Sequence, residues 1–287
     1  MRPFPRRSAC CLIGTHTMQR THAHAAAARG WRTIPERRNA APVFLDEGQP
    51  IVLADTDAGA RPELEPAADA FGRAVGYLLA EAGEGTMIIN AESGGFNKIA
   101  VSAFDKAMDA KTSNAGYQTF EKLISGAYLG GIGLEIYKAA AKEGFFSKKA
   151  ADAIGGLGSL ETMDFDNFCA GFRKEGRDNV LDSIFADPDD AKIAKRLGIP
   201  VFERAAVLTA VQLAAFVIKS GEGVEASAPV AINADGSTYY KTRAIPFDAT
   251  VRRELDDMLV QRRNIHYSIT PQVDDAPMVG AAIAAML

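Results

Sequence analysis

The chain has 287 residues, 47% hydrophobic and 24% charged, an ordinary globular composition with room for one large domain or two smaller ones. A net charge of −4 argues against a general affinity for nucleic acid. Three cysteines, two of them adjacent (Cys10, Cys11), give no disulfide framework and no CxxC zinc site, and fit a reducing, cytoplasmic setting.

Residues 1–42 differ from the rest: eight arginines, no lysine, and no acid before Glu36. An Arg-rich, acid-poor start is compatible with a transit peptide. It also fits translation from a wrong start or shifted frame in GC-rich DNA, and the stretch is expected to be disordered or non-native. His22 and His24, without a neighbouring cysteine or carboxylate, make a weak metal site. The folded domain is expected over 43–287.

A short strand is expected at Pro50–Ala54, ending in ADTDAG, where Asp55 and Asp57 lack the later ligands of a calcium loop. Pro66–Ala82 reads as an amphipathic helix with Phe71, Val75, Leu78 and Leu79 on one side. Thr86–Asn90 is a short apolar strand followed by AESGGF (91–96). A buried strand ending in Asn-x-Glu and two glycines is where α/β proteins put ligand groups. Glu92 is therefore a candidate, although a lone loop acid more often makes backbone contacts.

The organising stretch is Asn114–Phe146, expected as one long helix capped by Ser113 or Asn114 and closing near Gly144. Phe120, Leu123, Ile124, Ala127, Leu134 and Tyr137 form its core stripe, with Tyr128, Ile132 and Ile136 as a second row. Gly126, Gly130, Gly131 and Gly133 each cost helix stability, roughly 1 kcal/mol against alanine. Their clustering predicts that something packs very close to the backbone there. Glu121, Lys122, Glu135 and Lys138 argue against a membrane span. Glu121 itself reads two ways: an acid placed well at a helix start, or a carboxylate held for a polar ligand, with Glu92 as its partner.

A polar connector is expected over Gly155–Asn179, then a charged helix from about Asp187 to Leu197 and an apolar one from Arg204 to Gly221. Val230–Asn233 reads as a buried strand, Asp235-Gly236 as a hairpin turn and Ser237–Lys241 as the return strand. A helix from Pro246 to about Arg262, a strand over Ile265–Thr270 and an alanine-rich helix over Asp275–Leu287 complete an α/β layered pattern.

Five segments then resemble one family in order and spacing: MIINAESGGF (87–96), FEKLISGAYLGG (120–131), RAAVLTAVQLAA (204–215), INADGSTYYKT (232–242) and VGAAIAAML (279–287). They are similar to the hexokinase family over about 200 residues. The resemblance implies the actin-like, ribonuclease-H-like α/β fold, here as an incomplete large domain, and ATP-dependent phosphorylation of a hexose such as glucose with Mg2+. It implies that Glu92 and Glu121 hold sugar hydroxyls, that Gly236 and Ser237 lie near the ATP phosphates, and that Gly280 opens the last helix beside the adenine. Ser93 stands where many members have tryptophan, and Ala276-Pro277-Met278-Val279 replaces the glycine- and serine-rich adenine loop. The family's DLGGT phosphate loop and its catalytic aspartate in an Asn-Asp-Thr setting are absent from the sequence, and IGTHTM (13–18) only faintly matches the second phosphate loop, GTGTN. A non-catalytic sugar-binding or regulatory protein, or a truncated gene product, is the competing expectation. An unrelated helical scaffold is a third.

Overall fold

The computed structural model describes residues 11–13 and 91–270. The expected elements at 50–54, 66–82, 86–90 and 275–287 lie outside those residues, as do the histidine pair and Gly280.

Helix α1 (Ala103–Asp109) starts in a capping box in which Ser102 Oγ accepts from the Asp105 N–H, while Asp105 accepts from the Ser102 N–H and hydroxyl, both at 2.7 Å. The same carboxylate takes two hydrogen bonds from Arg204, at 2.8 and 2.7 Å. One acid thus caps α1 and ties it to a helix a hundred residues on. Burial alone would raise the Asp105 carboxyl, but the Arg204 and Ser102 bonds win and hold it below its usual value. A depressed folded value adds stability above the unfolded value and loses it as pH falls through the lowered one. Asp105→Asn is therefore expected to cost about 1 kcal/mol at neutral pH. In melts run stepwise downward from about pH 4, that deficit is expected to shrink; a deficit that stays constant would remove the ion pair from the account.

The stretch expected as one helix is two: α2 (Thr119–Ile124) and α3 (Leu129–Lys142). Ser113 and Asn114 cap neither. α2 begins at Gln118, in a left-handed conformation with φ 53, and Lys122 folds back on the preceding loop, donating to Asp109, to Thr112 Oγ1 and to the Asn114 carbonyl. The break at 125–128 has a tertiary cause. Ser125 is extended, and the Gly126 N–H turns away from the helix to Thr238 Oγ1 at 3.1 Å. The expected stripe is buried except for Ala127, which the break leaves exposed.

The glycines do admit close neighbours. A Cβ on Gly133 would lie 2.5 Å from the Phe165 ring, and one on Gly126 would lie 2.6 Å from Thr238 Oγ1. Next come α4 (Lys148–Gly156), α5 (Thr162–Ala170) and α6 (Val180–Ile184). The expected connector thus contains a helix, because Phe165, Phe168 and Cys169 share a buried side of α5 despite its polar composition.

α7 (Pro188–Ser220) joins the two helices expected around 187–197 and 204–221 into one of 33 residues. Asp187 accepts from the Asp189 and Asp190 N–H groups at its start, and Gly221, with φ 71, ends it. Pro200 lies inside. An internal proline costs about 3 kcal/mol, yet Val201, Phe202 and nearly every residue from Ala205 to Val217 are buried around this helix, and that burial outweighs it. By length and composition α7 could cross a membrane, but 78% of its apolar window is buried against the rest of the protein. It is a core helix.

Around α7 an aromatic core assembles, with Tyr137 edge-on to its neighbours and Phe165 tilted on Phe202. Tyr137 lies 5.3 Å from Phe185 and 5.7 Å from Phe165, which meets Phe202 at 5.0 Å. The Tyr137 hydroxyl donates to the Ala194 carbonyl at 3.0 Å, beside Cys169. Burial pushes the Cys169 thiol up to about 12, the Tyr137 hydroxyl opposing and the Asp166 charge adding. Cys169 is therefore expected to resist iodoacetamide at pH 8 until the chain is unfolded, as mass-spectrometric mapping of each cysteine would show. Native labelling would contradict its burial.

Among the described residues the sheet has three parallel strands: β1 (Cys11–Ile13), β2 (Val230–Ala234) and β3 (Tyr267–Ile269), in the order β1-β2-β3. Ile13 stands beside Ala234, and Ile232 beside Ile269. On β2, Val230, Ile232 and Ala234 face the core and alternate with half-buried residues. The hairpin expected after it does not form. Ser237–Lys241 is a short helix, α8, and a crossover through α9 (Phe247–Leu255) and a π-helical turn (Asp256–Gln261) brings β3 alongside β2.

Candidate functional site

AESGGF makes a single 3-10 turn over Ser93–Gly95, closed by the Gly95 N–H on the Glu92 carbonyl at 3.0 Å and the Phe96 N–H on the Ser93 carbonyl at 3.1 Å. Glu92 enters it at φ 43 and ψ 39, a left-handed conformation uncommon outside glycine. Phe96 leaves it edge-on to Phe120 at 6.2 Å, and Phe120 precedes Glu121. Gly94 lies flat on the first turn of α2. A Cβ there would come 2.7 Å from Gln118 Oε1, 3.1 Å from Glu121 Cβ and 3.6 Å from Glu121 Oε2. The turn that carries Glu92 and the helix start that carries Glu121 are thus packed directly together.

Glu92 is exposed and Glu121 half-buried, so both can meet solvent while the residues between them are fixed. Tyr128 lies in the α2–α3 break, and burial and then the nearby Glu121 charge hold its phenol above its usual value. Beneath lies a small apolar cluster of Ile99, Phe120, Leu123, Ile124, Leu208 and Ala215. Gln118, Tyr128 and Gln212 adjoin this site without having been singled out from the sequence. Gln212 carried a readable signal, a polar residue amid the apolar run 205–218; Gln118 carried none.

Gly236 and Ser237 stand where β2 gives way to α8, with Gly236 at φ 125, open to glycine alone. α8 is held from several sides. The Tyr239 hydroxyl donates to Asp248 at 2.5 Å and the Tyr240 hydroxyl to the Ala234 carbonyl at 3.0 Å. Just beyond it, the Arg243 and Ala244 N–H groups donate to Asp166 at 2.9 and 2.8 Å. Thr238 receives the Gly126 N–H. One contact therefore joins the Glu121 segment to the Gly236–Ser237 segment. A separate cavity of about 640 Å3, lined by Asp164, Asn167, Arg173 and Arg177 among others, contains none of these residues. Two of its arginines pair with two of its acids, Arg177 with Asp164 and Arg173 with Asp182.

The family model for hexokinase matches residues 67–287. This chain belongs to the hexokinase family. Human hexokinase-2 is 35% identical over 177 residues, covering 57% of this chain and 19% of that protein. Toxoplasma gondii hexokinase is 28% identical over 219 residues, 69% of this chain and 41% of that one. This hexokinase-family chain therefore spans about a fifth of the human relative's length. Among solved structures, hexokinase from Schistosoma mansoni complexed with glucose superposes with a TM-score of 0.56 at 22% identity, over 72% of this chain and 48% of that one. The fold is accordingly the actin-like fold of hexokinases, of which the described residues form part.

Proposed function

We propose that this chain acts in ATP-dependent phosphorylation of a hexose such as glucose, and that Glu92 and Glu121 accept hydrogen bonds from the sugar hydroxyls. The packing of the Glu92 turn on Glu121 carries the reading. Two carboxylates borne by a turn and a helix start that pack on each other suit a polyol better than either suits a backbone role. Charge-assisted acceptors bind hydroxyls about twice as strongly as neutral ones.

Gly236 and Ser237 are assigned to the nucleotide side, with Gly280 at the adenine. The fit rests on Gly236, whose φ of 125 and missing side chain leave backbone open at the C-terminal edge of a parallel strand, where α/β sheets take their ligands. ATP supplies the phosphoryl group when bound. Among the described residues no group of three or more His, Cys, Asp or Glu could hold a metal. Mg2+ is therefore assigned to the nucleotide phosphates, which commonly carry it.

A second reading, sugar binding without transfer, is favoured by one observation: the sequence contains neither DLGGT nor Asn-Asp-Thr. Transfer needs a base within reach of the attacking hydroxyl. Purified full-length chain, incubated with glucose and ATP and followed for sugar phosphate alongside calorimetric glucose titration, separates the two. Turnover supports transfer. Binding alone supports the second reading, and neither result defeats both.

A further inference from the structure

α7 is apolar where it faces the Glu92 turn, with Leu208 and Ala215 packed against Phe120, Leu123 and Ile124. Gln212 interrupts that face, one helical turn from each. It is 6% exposed, its Nε2 donates to Ser93 Oγ, and its Oε1 has no hydrogen-bond partner. As core filling this is poor, since a buried amide with an orphaned oxygen costs what a leucine would not.

What the amide does hold is Ser93, the residue after Glu92 and the first of the turn. The middle of the turn rests on Gln118 and Glu121 through Gly94, and its end rests on Phe120 through Phe96. Its start is held by Gln212. A left-handed, non-glycine residue such as Glu92 persists only where its surroundings over-determine it.

We propose that Gln212 is a positioning residue: its hydrogen bond to Ser93 locks the 92–96 turn and so fixes the Glu92 carboxylate for a sugar hydroxyl. The last step rests on the sugar-site reading above; the locking of the turn does not.

The test uses the full chain and four variants: Gln212→Leu, Ser93→Ala, the two combined, and Ser93→Thr. Amide exchange at Gly95 and Phe96, melting temperature and calorimetric glucose affinity are read on each. Gln212→Leu and Ser93→Ala are each expected to speed exchange in the turn about tenfold, the double variant no more than either. Glucose affinity should fall about tenfold in the same three variants, while Ser93→Thr, which keeps a hydroxyl, stays near wild type. Gln212→Leu should melt no lower than wild type, so affinity and stability part company. Unchanged exchange in the turn overturns the proposal whether or not glucose binds. So does a loosened turn with wild-type glucose affinity, or an affinity loss that merely tracks the melting temperature. If the wild-type chain binds no glucose, the sugar-site reading fails on its own, and exchange alone decides whether Gln212 holds the turn.

Discussion

Glu121→Gln is expected to weaken glucose binding between tenfold and about a hundredfold, with the melting temperature of the free chain unchanged or slightly raised. The amide keeps the shape of the side chain against Gly94 but removes the charge. Losing one charge-assisted hydrogen bond, at about 1.5–3 kcal/mol, produces an affinity loss of that order. Stability does not fall with it, because a half-buried carboxylate is costly when nothing pairs with it. If Glu121 were only an acid at the start of α2, the change would cost a few tenths of a kcal/mol and leave affinity untouched. Calorimetric titration with glucose, alongside melts without sugar, distinguishes these outcomes. Equal affinities would return Glu121 to the helix-start role.

That the AESGGF turn and the start of the Glu121 helix lie together was legible in the sequence because both signals are local: a strand end with two glycines, and an acid among apolar residues at a helix start. The close approach along Gly126–Gly133 was legible for the same reason. What escaped depends on partners far along the chain. Apolar periodicity runs unbroken from Phe120 to Tyr137, and nothing in it shows that the Gly126 N–H leaves the helix for Thr238, 112 residues later. Pro200 erred in the opposite direction. Local rules end a helix there, but burial on both flanks carries α7 through it. Asp235-Gly236 is a strong hairpin signal. Yet β2 pairs with β1 and with β3, which lies more than thirty residues on, and the chain between β2 and β3 is free to coil into α8 and α9. Gln212 shows the limit most plainly: its polarity stands out in the sequence, but the partner that gives it meaning, Ser93, lies 119 residues earlier.

Gly130→Ala is expected to destabilise the chain by about 3 kcal/mol, lowering the melting temperature by about 6–12 °C. At this glycine α3 crosses the entry to α5 backbone against backbone. The Gly130 N–H donates to Thr162 Oγ1 at 2.7 Å, and an added Cβ would lie 2.3 Å from the Leu160 carbonyl oxygen and 2.6 Å from the Thr162 nitrogen. Those atoms are main chain, so no rotamer change relieves the clash and the two helices must separate. One turn along, the Phe165 ring sits against Gly133 and would lose that contact as they part. Alanine improves helix propensity by about 1 kcal/mol, which offsets only part of the loss. Gly155→Ala supplies the control. Gly155 lies in α4 with nothing within 4 Å of an added Cβ, so only the propensity term acts and the melting temperature should rise by a few degrees, about 2–4 °C. The two variants make the same chemical change in helices of the same chain and are expected to move in opposite directions. Thermal melts showing both moving the same way would mean that α3 and α5 do not meet at Gly130.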